Sequence, residues 1–129
     1  MDRTEINPWS WQDQWGFAQA WKVDGAKSLI FLAGQTGVDD EGEFIHHDDF
    51  EGEVRLMFEN MRRVLEEGGA TLDDVVRITV FIKDMSKIDE FTQVKKAIFG
   101  DHAPTQSAIG VSTLALPELT LEVEATAVT

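Results

Sequence analysis

The sequence predicts an α+β domain: a mixed β-sheet with two helices packed on one face. Three observations predict it. Apolar residues alternate with a period of two in several short segments, and two stretches carry the three-and-four spacing of an amphipathic helix. The segments run strand, strand, helix, strand, helix, strand, strand. Two strand-helix-strand crossings imply parallel neighbours, and hairpins at both ends imply antiparallel ones. Helices on one face leave the other bare, and self-association is the simplest cover for a small sheet with apolar side chains on its open side.

Each element follows from local pattern. From Trp9 to Val23 the large apolar residues fall on odd numbers (Trp9, Trp11, Trp15, Phe17, Trp21, Val23), so Trp15 to Val23 is expected to be the first strand. Asp24-Gly25-Ala26-Lys27 supplies turn chemistry, and "SLIFLA" from Ser28 to Ala33 completes an expected hairpin. "GQTGVDDEGEF" reads as a loop with a short strand near Phe44. Phe50, Val54, Met57, Phe58, Met61, Val64 and Leu65 then form a helical stripe, with Asp48 or Asp49 as cap and Gly68-Gly69 as stop. "DDVVRITVFIKDM" is a strand packed on one face and partly covered on the other. Ser86 and Asp89 give a capping pattern for a second helix carrying Ile88, Phe91, Val94 and Ile98 and ending near Gly100. A strand over Ser107 to Ser112 follows, then Pro117, then a last strand in which Leu119, Leu121, Val123 and Ala125 alternate with polar residues.

Composition narrows the function classes. The 129 residues read as one domain, 1–129, with neither linker nor internal repeat. Cysteine is absent, which removes disulfides, thiolate metal sites and a cysteine nucleophile. No apolar run reaches membrane-helix length, and a cytoplasmic protein is the expectation. With 24 acidic residues against 11 Lys plus Arg the net charge is −13, which argues against a nucleic-acid partner, because that binding rests on cations meeting phosphates. His46-His47-Asp48-Asp49 offers metal-binding side chains, but adjacent histidines diverge and no further His or Cys stands at a zinc spacing. His102 stands beside Ala103-Pro104 and reads as a surface loop histidine in preference to a proton-handling group at a cleft mouth. "GVSTL" lacks the second glycine of a nucleophile elbow, and "GQTGVDDEG" leads into no phosphate-binding helix. No cofactor is implied.

Four pieces together carry a family resemblance: Gly16-Phe17, "LAGQTGVDDEGE", "LMFENMRRVLEEGGATLDDVVRITVFIKDM" and "APTQSAIGVSTLALPELTLEVEATAV". The chain resembles, over nearly its whole length, the RidA/YjgF (Rid) family of imine and enamine deaminases, whose older label is L-PSP endoribonuclease. The resemblance implies a chorismate-mutase-like fold, a homotrimer, and a small-molecule cleft between subunits. It implies Glu122 as the catalytic acid that handles water, and Phe17, Ala33, Gly34 and Gln106 as substrate-binding positions.

The match is divergent where it matters most. In the family an arginine after the second helix grips the carboxylate of a 2-imino acid; here "PTQS" puts Gln106 in its place. Phe17 stands for a pocket tyrosine and Ala33 for a serine, while Gly34 and Gln35 are kept. The resemblance therefore implies a Rid-type hydrolase acting on something other than a simple 2-imino acid. The alternative is a non-catalytic trimer that binds a small molecule or a partner protein on the same scaffold. Judged by position alone, Glu122 reads first as an ordinary solvated strand glutamate, and only the resemblance gives it a role in catalysis; Gln106 is equally a loop residue bonding to backbone.

Overall fold

The computed structural model describes residues 1–129. Its centre is a four-stranded sheet in the order β3-β6-β4-β5, formed by β3 (Leu29–Gln35), β6 (Leu121–Val128), β4 (Val75–Ile82) and β5 (Thr105–Gly110). β6 runs antiparallel to both β3 and β4, while β4 and β5 are parallel and joined through a helix. The mixed α+β architecture expected from the sequence is present.

Helix α1 (Phe50–Glu67) buries Phe50, Val54, Met57, Phe58, Met61 and Leu65. Each fully buried apolar side chain contributes roughly 1.5 to 3 kcal/mol. Asp49 caps it, accepting from Gly52 N–H at 3.0 Å, and the Ala70 amide returns to the Leu65 carbonyl at 2.9 Å to close its end. Val64 departs from the expected stripe and stands exposed. Helix α2 (Ile88–Phe99) lies beside α1 with Phe58 edge-on to Phe99, centroids 5.3 Å apart. It is entered through a 3-10 turn, Met85–Lys87, and the cap is Asp84 rather than Ser86: its carboxylate accepts from both the amide and the hydroxyl of Ser86. Leu121, Val123, Ala125 and Ala127 of β6 and Ile78, Val80 and Ile82 of β4 meet the helices in one core.

The other sheet face is uncovered. Phe31 is 75% exposed on it, and Leu29 of β3 and Ile109 of β5 are exposed as well. A hollow of about 460 Å³ on this side is lined by Phe31, Arg77, Thr79, Glu124 and Thr126 among others.

The ends of the chain differ from expectation. The strand expected over Trp15–Val23 is β2 (Ala20–Asp24), preceded by a 3-10 turn over Trp11–Trp15. β2 pairs with β1 (Asp2–Ile6), not with β3, so the first hairpin is absent. Side chains and backbone pull this ribbon to the far edge of the sheet: Trp21 Nε1 donates to the Ala103 carbonyl at 2.8 Å, Ala18 N–H to the Pro104 carbonyl at 3.1 Å, and the Arg3 guanidinium to the Asp73 carbonyl. The closing hairpin is absent too, because β6 inserts between β3 and β4 and does not pair with β5.

Candidate active site

Alternation along β6 sends Glu122, Glu124 and Thr126 to the open face. Glu122 stands opposite Phe81 of β4. On its other side β3 shifts register between Leu32 and Gln35, and the irregularity brings Gly34 beneath the Glu122 carboxyl. A Cβ on Gly34 would lie 2.2 Å from Glu122 Oε1, so only glycine leaves the carboxyl its place. No lysine or arginine forms an ion pair with Glu122, and the residue is half-buried. An unpaired carboxylate over open backbone can take a proton from a water molecule. Ala33 is exposed beside this pair, and its carbonyl accepts from Gln35 Nε2 at 3.2 Å.

The other two predicted positions lie elsewhere. Gln106 is in register with Ile78, which is itself in register with Ala125, both in the core. Its row therefore faces the helices, whereas Glu122 faces away from them. Phe17 follows the Trp11–Trp15 turn at this same edge, edge-on to Trp11 with centroids 6.2 Å apart, and the next residue, Ala18, bridges to Thr105 of β5. One chain thus brings together Ala33, Gly34 and Glu122, while Gln106 lies on the opposite face of the sheet, at the β5 edge where Phe17 also stands.

Gln106 has a partner that the sequence analysis missed. Lys95 of α2, 1% exposed, places Nζ 2.5 Å from Gln106 Oε1 and 3.0 Å from the Trp15 carbonyl. Its stem passes Gly16, whose positive φ of 66° ends the aromatic turn and whose missing side chain leaves room for Lys95 and Lys96. Burial, and secondarily the charge of Lys96, pushes the Lys95 amine down from 10.5 to about 7. A signal was available: Lys95 follows Phe91 by four and precedes Ile98 by three, on the apolar stripe of α2.

A lowered lysine pKa has a definite sign in stability. Between pH 7 and 10.5 the unfolded chain holds a proton that the folded chain has released, so this residue makes stability rise with pH by at most about 1.4 kcal/mol per pH unit. Urea unfolding across that range is expected to show the slope in the natural protein, and Lys95→Met to remove it.

A second buried charge escaped the sequence analysis. Glu53 of α1, 1% exposed, accepts from the Thr120 amide at 2.8 Å and the Thr120 hydroxyl at 2.6 Å, two residues before Glu122. The histidines have structural partners: His46 Nδ1 lies 3.1 Å from Asp49 Oδ2, His47 packs on Phe44, and His102 Nε2 lies 2.6 Å from the Val75 carbonyl between Trp21 and Phe99. His46 and His47 line a separate hollow of about 570 Å³ with Glu53, Lys87 and Glu118.

The geometry has counterparts in known proteins. The family model described as endoribonuclease L-PSP matches residues 14–129, and a RutC family protein of Pyrococcus abyssi is 36% identical over 86% of this chain and 84% of its own. The chain belongs to the RidA/YjgF family. Among relatives with names that state an activity, the putative reactive intermediate deaminase TdcF of Escherichia coli is 32% identical over 78% of this chain and 79% of its own. Rid structures share the fold: YyfB of Yersinia pestis superposes with a TM-score of 0.89 at 30% identity, covering 100% of both chains. E. coli TdcF, solved with bound serine, gives 0.72 at 32% identity over 88% of this chain and 87% of that one. No helix of this Rid protein is long and apolar enough to cross a membrane.

Proposed function

We propose that the protein is a Rid-type deaminase, hydrolysing reactive imines or enamines with a water activated by Glu122. One observation carries the reading: a carboxylate free of any cation, held over the exposed backbone of Gly34. Glu122 takes a proton from water as the oxygen bonds to the imine carbon. The same proton passes to nitrogen, giving the carbinolamine; Glu122 then takes the hydroxyl proton and returns it to the departing nitrogen as the C–N bond breaks and the C=O bond forms, releasing a carbonyl compound and ammonia. The TdcF relative named as a reactive intermediate deaminase, and its structure with bound serine, support a small-molecule site of this kind.

The bare apolar face supports assembly as a homotrimer with the ligand cleft between subunits, since Gln106 and Glu122 lie on opposite faces of one chain's sheet. The reaction needs no cofactor. A net charge of −13 disfavours RNA as substrate despite the older endoribonuclease label, and a cytoplasmic protein remains the reading. A second reading, a non-catalytic trimer binding a small molecule or a partner, is favoured by one substitution: Gln106 where the family arginine would grip a carboxylate.

The two are separated by generating 2-iminopropionate and 2-iminobutyrate in situ and following ammonia release. The natural protein is expected to add little to the spontaneous rate. The corner around Lys95 holds no acidic group to receive a guanidinium, so the side chain in Gln106→Arg is expected to turn outward and raise the rate about tenfold, one charge-assisted bond's worth. Fast hydrolysis of these acids by the natural protein would remove the arginine argument. A panel of neutral imines left unhydrolysed, with stoichiometric binding of a small molecule, would establish the binding module, and a monomer in sedimentation would count against both.

A further inference from the structure

Lys95 has no place in the reaction just described, yet it is a buried lysine with no acidic partner in a chain of 24 acidic residues. Charged or neutral, the Lys95 amine keeps at least two N–H donors, and the two atoms that face it are oxygens, the Gln106 amide oxygen first. The Trp15 carbonyl takes a second donor. Gln106 Nε2 has no partner in the chain and is not a buried unsatisfied atom, and the residue is half-exposed, so the NH2 group is left toward solvent at the β5 edge. The last torsion of a glutamine side chain is ordinarily broad. Here the oxygen is tied, and the donor is fixed before any ligand arrives.

We propose that Lys95 is a positioning residue that turns Gln106 into a fixed outward donor, selecting substrates with a neutral carbonyl oxygen, an amide or ester, next to the C=N carbon. The inference rests on the reading that Gln106 contacts substrate. A donor without formal charge satisfies a carbonyl oxygen fully but leaves a carboxylate short of its counter-ion. The chain's net charge of −13 adds a general penalty for anions. Trp11, on the turn whose Trp15 carbonyl Lys95 also holds, and Phe17, just after that turn, offer an apolar wall to the remainder of such a molecule. Lys96 beside it on α2 is the charged neighbour whose field acts on Lys95; the turn and β5 present only the neutral Trp15 carbonyl and Gln106 amide.

Stable keto counterparts serve as probes, with pyruvamide for the neutral class and pyruvate for the anionic one, titrated by calorimetry. Pyruvamide is expected to bind at least about fivefold more tightly than pyruvate. Lys95→Met should weaken pyruvamide about tenfold and, in turnover of a neutral α-carbonyl imine, raise KM far more than it lowers kcat. In a Gln106→Met background Lys95→Met should then cost less than about twofold, because a residue acting through Gln106 has nothing left to act on. Equal binding of the two probes, no binding of either, or full additivity in the double variant overturns the proposal.

Should Lys95→Met fail to fold, the natural protein still decides. The side-chain amide resonances of Gln106, assigned by their loss in Gln106→Met, should shift as Lys95 titrates near pH 7 and again when pyruvamide is added; resonances that do neither overturn it. Glu122-dependent ammonia release with KM indifferent to Lys95→Met sinks the lysine's role alone. Pyruvamide binding without any Glu122-dependent release sinks the deaminase reading and leaves the donor standing.

Discussion

Glu122→Gln is expected to lower imine hydrolysis by about 10²- to 10⁴-fold, the usual contribution of a positioned general acid-base group. The amide keeps the shape of the side chain over Gly34 but cannot take the proton that water must lose. Stability should change little, because the carboxyl is half-exposed and joined to no cation. Glu124→Gln is the control: Glu124 stands two residues along the same face, exposed, and its replacement should leave the rate within about twofold. The measurement is ammonia release above the spontaneous rate for a panel of imines. If both variants keep the natural rate, the carboxylate is not the water-handling group.

Strong local pattern made much of the fold legible. The stripe from Phe50 to Leu65 is that of α1, and alternation sorted core from surface in β6 and in β4 from Ile78 onward; at the start of β4 a register shift between Val75 and Arg77 puts Val75, not Val76, in the core. Family membership was legible as well, in the long motifs from Leu56 to Met85 and from Ala103 to Val128. The tryptophan parity misled. Trp11 and Trp15 are the two ends of a 3-10 turn, and the aromatic rings meet one another, Trp9 stacked on Trp11 and Trp15 edge-on to Trp11, rather than lining one face of a strand. β1, "DRTEI", carries a single large apolar residue and no alternation, so nothing local marks it as a strand; it exists because β2 pairs with it. Strand order was hidden for the same reason, since β6 enters between β3 and β4 through contacts far apart in sequence.

At the candidate site the residues were easier to name than to arrange. Gly34 and Glu122 stand against each other, while strand parity sends Gln106 to the opposite face. Parity could have been read in advance for β6 but not for β5, whose register rests on its pairing with β4. Lys95 and Glu53 show a different gap. Both sit on apolar helix stripes, Glu53 three residues after Phe50 and Lys95 four after Phe91, and a charge on such a stripe needs a buried partner. Counting apolar residues alone passes over the charges that interrupt them.

Glu53→Ala is expected to destabilise the fold by about 3 to 5 kcal/mol, the loss of two hydrogen bonds to a charged group and more than most single substitutions cost. The carboxylate is 1% exposed and holds both the amide and the hydroxyl of Thr120. Hydrogen bonds to a charged group contribute roughly 1.5 to 3 kcal/mol each, and alanine leaves two donors without an acceptor. Glu53→Gln retains one acceptor oxygen and should lose about half as much. The loss should be read as a lower urea midpoint with the slope preserved, so that compactness is not in question. Because Thr120 immediately precedes β6, the same change frees the start of the strand that carries Glu122. Glu53→Gln should therefore also lower turnover by more than its stability loss explains, at temperatures where the variant is fully folded. Turnover equal to the natural protein's under those conditions would confine Glu53 to stability, and an unaltered midpoint would show that the Thr120 bonds contribute nothing net.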